Sequence, residues 1–135
     1  MIEFLLKELE DLVGSDYFEF DSEEIMDKIE SEGAGPEIIE DLLGIMERHP
    51  LEDFGMPGAM VHFIEKFDPE YIPILIKSIQ RRPSMHTVWM LNRCINGTKD
   101  ADKYIDLLKA VSEDESLEED IRDSALEFYE YQMDE

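Results

Sequence analysis

The sequence has few bases, a single cysteine, a single tryptophan and no long apolar run, and each shortage excludes something. Cys94 has no partner for an internal disulfide, which fits a reducing compartment. No catalytic signature surrounds it, so it reads as a small buried hydrophobe. The apolar residues of the first thirteen positions are interrupted by Glu3, Lys7, Glu8, Glu10 and Asp11, so they do not form a secretory leader. No stretch approaches the roughly 20 apolar residues that cross a bilayer. The expected location is the cytoplasm. Only 12 Lys and Arg stand against 35 Asp and Glu, a net charge of −23. Such a field repels phosphate, so neither nucleic acid nor an anionic membrane is an expected ligand.

The usual tools of catalysis are also missing. His49, His62 and His86 never stand three or four residues apart, and no CxxC or HExxH occurs, so transition-metal spacing is absent. The acidic run Glu113-Asp114-Glu115 followed by Glu118-Glu119-Asp120 lacks the pattern of a calcium loop and reads as a solvated helix start. There is no glycine-rich phosphate loop; Gly55-Met56-Pro57-Gly58 reads as a turn between helices. We expect no enzyme, no metal and no cofactor.

What is present is an apolar fraction of 43%, enough for a folded core in a single domain of 135 residues. The acidity is placed unevenly. Residues 1–55 hold 18 acids and 3 bases, residues 56–99 hold 3 acids and 6 bases, and residues 100–135 hold 14 acids and 3 bases. The two ends carry the charge and the centre is nearly neutral.

The chain also repeats itself. Pro36 to Pro50 aligns with Pro69 to Pro83 at a shift of 33, with 6 of 15 positions identical, both bounding prolines included. The same shift relates Leu5-Leu6-Leu9, Ile38-Ile39-Leu42, Tyr71-Ile72-Leu75 and Tyr104-Ile105-Leu108. Four periods account for nearly the whole chain, and each has room for two helices. First helices are expected over about 2–13, 36–49, 69–82 and 101–112, and second helices over about 22–32, 57–67, 84–96 and 117–132. Pro36 and Pro69 suit helix starts, while Pro50 and Pro83 end helices. Ser22, Ser84 and Ser116 are expected N-caps, with Gly33 and Asn96-Gly97 as stops. Tyr17-Phe18-Glu19-Phe20 alone leans towards a strand, or a loop anchored by aromatics. The expected fold is all-α: about eight helices in a short right-handed α-solenoid of four hairpins, HEAT- or armadillo-like, with a compact helical bundle as alternative.

The central block 84–96 spreads Met85, Val88, Trp89, Leu91, Cys94 and Ile95 over a broad helix face. Asn92 and Arg93 read as polar crosslinks between helices, Arg93 towards an acid of a first helix. The alternative makes Trp89, Asn92 and Arg93 a ligand-binding trio.

At this block the sequence resembles small bacterial immunity proteins of polymorphic and contact-dependent growth inhibition toxin systems. The likeness lies in Gly55-Met56-Pro57-Gly58, in Val61-His62-Phe63-Ile64-Glu65, and in Thr87-Val88-Trp89-Met90-Leu91-Asn92-Arg93 after a helix containing Tyr71. It spans about residues 55–96 and leaves both acidic ends untouched. It implies a cytoplasmic antidote that binds one cognate toxin, often a nuclease, and makes Gly55, Pro57, Gly58, His62, Trp89, Asn92 and Arg93 parts of a helical scaffold. The charge points the same way, since a nuclease grips phosphates with a basic cleft that carboxylates can fill. Expected partner-binding acids are Asp21, Glu23, Glu24 and Asp27 on one second helix, and Asp120, Asp123 and Glu127 on the last. Tyr17, Phe18 and Tyr131 are expected aromatic anchors. The alternative function is an acidic helical-repeat adaptor or nucleic-acid mimic that binds several basic proteins. No oligomeric state is encoded visibly, and a monomer is the expected form.

Overall fold

A computed structural model describes residues 2–55, 58–96 and 101–133. Among these residues the chain is all helical, with no strand. The α-helices are α1 (Ile2–Asp11), α2 (Phe18–Ser31), α3 (Ile39–Arg48), α4 (Gly58–Glu65), α5 (Tyr71–Arg81), α6 (Met85–Ile95), α7 (Ala101–Glu113) and α8 (Glu119–Met133). A short 3₁₀ turn, Pro36–Ile38, leads into α3.

Local signals explain most of the boundaries. Pro36 opens the 3₁₀ turn, where its missing N–H costs nothing. Gly33 follows α2 at φ +85°, donating its N–H to the Glu30 carbonyl, a left-handed stop that a side chain would strain. Ser84 caps α6 with a capping box: its hydroxyl accepts from the Thr87 N–H at 3.0 Å, and the Thr87 hydroxyl accepts from the Ser84 N–H at 3.0 Å. The other two expected caps lie elsewhere. Ser22 is buried inside α2, its hydroxyl turned back to the Glu19 carbonyl at 3.2 Å. Ser116 lies ahead of α8 and donates to Asp114 Oδ1 at 2.6 Å. Residues 18–20, which leaned towards a strand, form the first turn of α2. Of the expected stop at Asn96-Gly97, Asn96 follows α6 and Gly97 lies outside the described residues.

The packing joins three of the four expected hairpins and several alternate helices. α1 pairs with α2, α5 with α6, and α7 with α8; α3 packs against α1 and α5, α2 against α4, and α6 against α8. The four leucines at the 33-residue spacing, Leu9, Leu42, Leu75 and Leu108, are all fully buried, one each on α1, α3, α5 and α7. On α2 the buried set Phe18, Ser22, Ile25, Met26 and Ile29 recurs at helical spacing and makes one stripe towards the core. Phe54, in the segment after α3, is also fully buried. It meets Phe18 edge-on at 5.7 Å and His86 at 5.4 Å, so one side chain pins the connection between α2 and α6. The Pro50 carbonyl accepts from the Met85 N–H at 2.7 Å and ties the same segment to α6.

Arginines brace the stack. Arg48 and Arg81 stand 33 residues apart, and each reaches back to an acid of the preceding odd-numbered helix. Arg48 grips Glu10 of α1 with two N–H groups at 2.8 and 2.7 Å. Arg81 grips Glu47 of α3 at 2.8 and 2.6 Å. Both are planar two-point pairs, the strongest geometry for this kind of contact. Among the described residues, no helix is long and apolar enough to cross a membrane.

Candidate functional site

Of the residues expected to form a scaffold, Trp89, Asn92 and Arg93 contact other parts of the chain. Arg93 on α6 makes a two-point pair with Glu65 at 3.0 and 2.9 Å and lies 5.0 Å over the Trp89 ring. Its partner therefore belongs to α4, a second helix, and not to a first helix as the sequence suggested. Geometry decides this: α6 turns Arg93 towards Glu65 at the end of α4. The Asn92 side-chain oxygen accepts from Gln132 of α8 at 2.8 Å. Trp89 is half-buried and stacks at 5.1 Å from His86, so it belongs to the aromatic chain Phe18–Phe54–His86–Trp89. Trp89, Asn92 and Arg93 are thus engaged between helices.

Gly55 and Gly58 both have positive φ, and a Cβ on Gly55 would come within 2.6 Å of the Gly58 Cα. The entry to α4 requires glycine there. Pro57 lies outside the described residues. Cys94 is buried, with its sulfur 3.3 Å from the Tyr71 hydroxyl. Burial pushes both the Cys94 thiol and the Tyr71 phenol up, which makes the thiol a poor nucleophile.

The carboxylates divide into two populations. Glu10, Glu30, Glu47, Glu65 and Glu118 are held by Arg48, Lys66, Arg81, Arg93 and Arg82 respectively, each pair joining separate parts of the chain. The Arg48 hydrogen bonds, with help from His49, hold the Glu10 carboxyl below its usual range against the opposing effect of burial. The expected partner-binding acids form the other population. Asp21, Glu23, Asp27, Asp120, Asp123 and Glu127 carry no side-chain hydrogen bond or ion pair among the described residues. Glu24 alone has a neighbour, Lys28, at 4.0 Å on the same exposed helix face.

Of the expected acids on α2, Glu23 and Asp27 share the wall of one groove, while Asp21 and Glu24 line neither that groove nor the hollow beside it, and the acids of α8 lie elsewhere. α2 packs on α1 and α4, whereas α8 packs on α6 and α7. A groove of about 510 Å³ runs between α2 and α4, lined by Glu19, Glu23, Met26, Asp27 and Glu30 from α2 and by Gly58, Ala59, His62, Phe63 and Lys66 from the α4 side. His62, one of the scaffold residues, is exposed on this wall. A second hollow of about 540 Å³ shares Glu19 and Glu23 and continues past Asp16, Tyr17, Phe20 and Asp53. Tyr17 is 73% exposed and Phe20 74%. Tyr131, at 68%, stands out likewise on α8. Phe18, by contrast, is in the core and cannot act as an anchor.

Phe20 was not singled out by the sequence. The missed signal is its position two residues from Phe18, which on a helix places the two rings on opposite sides. Among the described residues, no group of three or more His, Cys, Asp and Glu is arranged to hold a metal ion. What the face between α2 and α4 offers chemically is a row of free carboxylates bordered by two exposed aromatic rings.

Compared with protein-family models, with curated proteins and with solved structures, the chain matches none.

Proposed function

We propose that this protein is an immunity protein that binds and neutralises a cognate basic toxin of nuclease type, acting in the cytoplasm and without catalysis. The observation that carries the reading is the division of the carboxylates. Arg48, Arg81, Arg82 and Arg93 are consumed in bracing one part of the chain against another, whereas Asp21, Glu23, Asp27, Asp120, Asp123 and Glu127 are left free. Like charges held close together cost stability, so a surface that keeps them unpaired gains when an oppositely charged partner covers it. Complementary fields also raise the rate of encounter by orders of magnitude at low salt, a useful property in an antidote. The likeness of residues 55–96 to immunity proteins supports the same reading.

We read the architecture as a short α-solenoid of four helical hairpins. The alternate-helix contacts from α1 to α3 to α5, from α2 to α4 and from α6 to α8 support it, as do the four buried leucines in step.

The test is co-expression with the product of a neighbouring toxin gene. The two proteins should co-purify, and the toxin's effect on cell growth should disappear. Failure to co-purify together with undiminished toxicity would end the immunity reading. Weak binding to many basic proteins that salt abolishes would instead support an acidic adaptor.

A further inference from the structure

Tyr17 and Phe20 take no part in the core, yet they stand beside a groove whose wall is acidic. We propose that the groove between α2 and α4, together with the Tyr17–Phe20 edge, is a docking surface for a cationic α-helix of a partner protein, and that α8 is not the contact face. The inference rests on the reading that the partner is a basic protein and specifies where and how it is held.

The spacing of the acids argues for a helix. Glu19, Glu23, Asp27 and Glu30 fall at intervals of four, four and three residues along α2. They climb one face of the helix over about 16 Å at 1.5 Å per residue. Lysines or arginines at the same intervals on a facing helix meet Glu19, Glu23 and Asp27 one by one, Glu30 being already held by Lys66. Met26 and Phe63 lie beneath the groove and are buried in the core, so the accessible wall is the polar and acidic one. Lys66, paired with Glu30 at 2.6 Å, is the one lysine or arginine among the residues lining either hollow. At the opposite end Phe20 and Tyr17 offer ring faces over which a guanidinium can stack. A second copy of the chain would bring a further −23 charge to this wall, so self-association there is disfavoured. Asp120, Asp123 and Glu127 border neither hollow.

The experiment titrates the full isotope-labelled chain with an alanine-based helical peptide carrying arginines at the same intervals, at near-physiological salt, followed by amide chemical shifts. Saturable shifts should concentrate on α2 and α4. The variants F20A and E23Q/D27N should each weaken binding at least about tenfold. D120N/D123N/E127Q, which removes more charge, should stay within about twofold of the unaltered chain. Equal shifts on α8, an equal loss in the α8 variant, or no saturable shift would each overturn the proposal. The outcome is separable from the immunity test. A toxin bound without any dependence on α2 leaves immunity standing and sinks this surface. Peptide binding mapped to α2 without protection from toxin does the reverse.

Discussion

Replacing Glu47 by alanine should remove more stability than any other single carboxylate in the protein. Glu47 is buried on α3 and holds three donors of α5: the Ser78 hydroxyl at 2.8 Å and two N–H groups of Arg81 at 2.8 and 2.6 Å. Ser78 is fully buried, so the truncation leaves its hydroxyl without a partner, a cost of about 1–3 kcal/mol. The Arg81 side chain is 53% exposed, so water recovers most of its lost pairing, and about 0.5–1 kcal/mol is a fair addition. Together the loss is about 1.5–4 kcal/mol. At about 2.1 cal/mol/K of unfolding entropy per residue, this lowers Tm by about 5–14 °C. Burial works to raise the Glu47 carboxyl, but the Arg81 and Ser78 hydrogen bonds outweigh it and hold it below its usual range. A group depressed on folding contributes stability above its unfolded pKa and loses it as pH falls through the folded value. The deficit of Glu47→Ala should therefore be full at neutral pH and shrink in acid below the usual carboxylate range. Urea unfolding followed by helical circular dichroism at several pH values measures both. A variant within about 0.5 kcal/mol of the parent at pH 7, the usual range for neutral surface changes, would refute the reasoning.

Three further outcomes follow from the packing. Leu42→Ala should cost about 2–5 kcal/mol because the side chain is fully buried, while Leu126→Ala, 43% exposed, should cost less than about 1 kcal/mol in the same urea experiment. Ser84→Ala removes the capping box of α6 and should cost about 0.5–2 kcal/mol, with Ser84→Thr recovering most of it. Gly55→Ala meets both a positive φ and the 2.6 Å approach of Gly58, and should lower Tm by several degrees where Gly35→Ala, at extended backbone, does not.

Much of the helical pattern was legible because its signals are local. Pro36, Pro50 and Pro83 punctuate helices through a missing N–H and a fixed φ, wherever the rest of the chain goes. The Ser84–Thr87 box closes within one turn. Leu9, Leu42, Leu75 and Leu108 announce themselves by spacing, because each helix must turn one stripe inward. Ser22 misled because a serine near a helix start is equally able to bond back to a carbonyl from inside a helix already begun. The stretch from Tyr17 to Phe20 misled for a related reason. Alternating aromatics suggest a strand, in which residues 18 and 20 share a side, whereas α2 sends Phe18 against Phe54 and Phe20 into water.

The sequence by itself determined that this chain is helical and that its charge lies at the two ends. Both depend on neighbours a few residues apart or on composition. Only the tertiary structure decided which carboxylates are clamped and which are free. That choice depends on which arginine a helix brings within hydrogen-bond reach, and the partners lie 28 to 38 residues away, as with Glu65 and Arg93 or Glu10 and Arg48. It also decided that the free acids of α2 border a groove beside two exposed rings, since only the packing of α2 on α4 sets the rotation of that face.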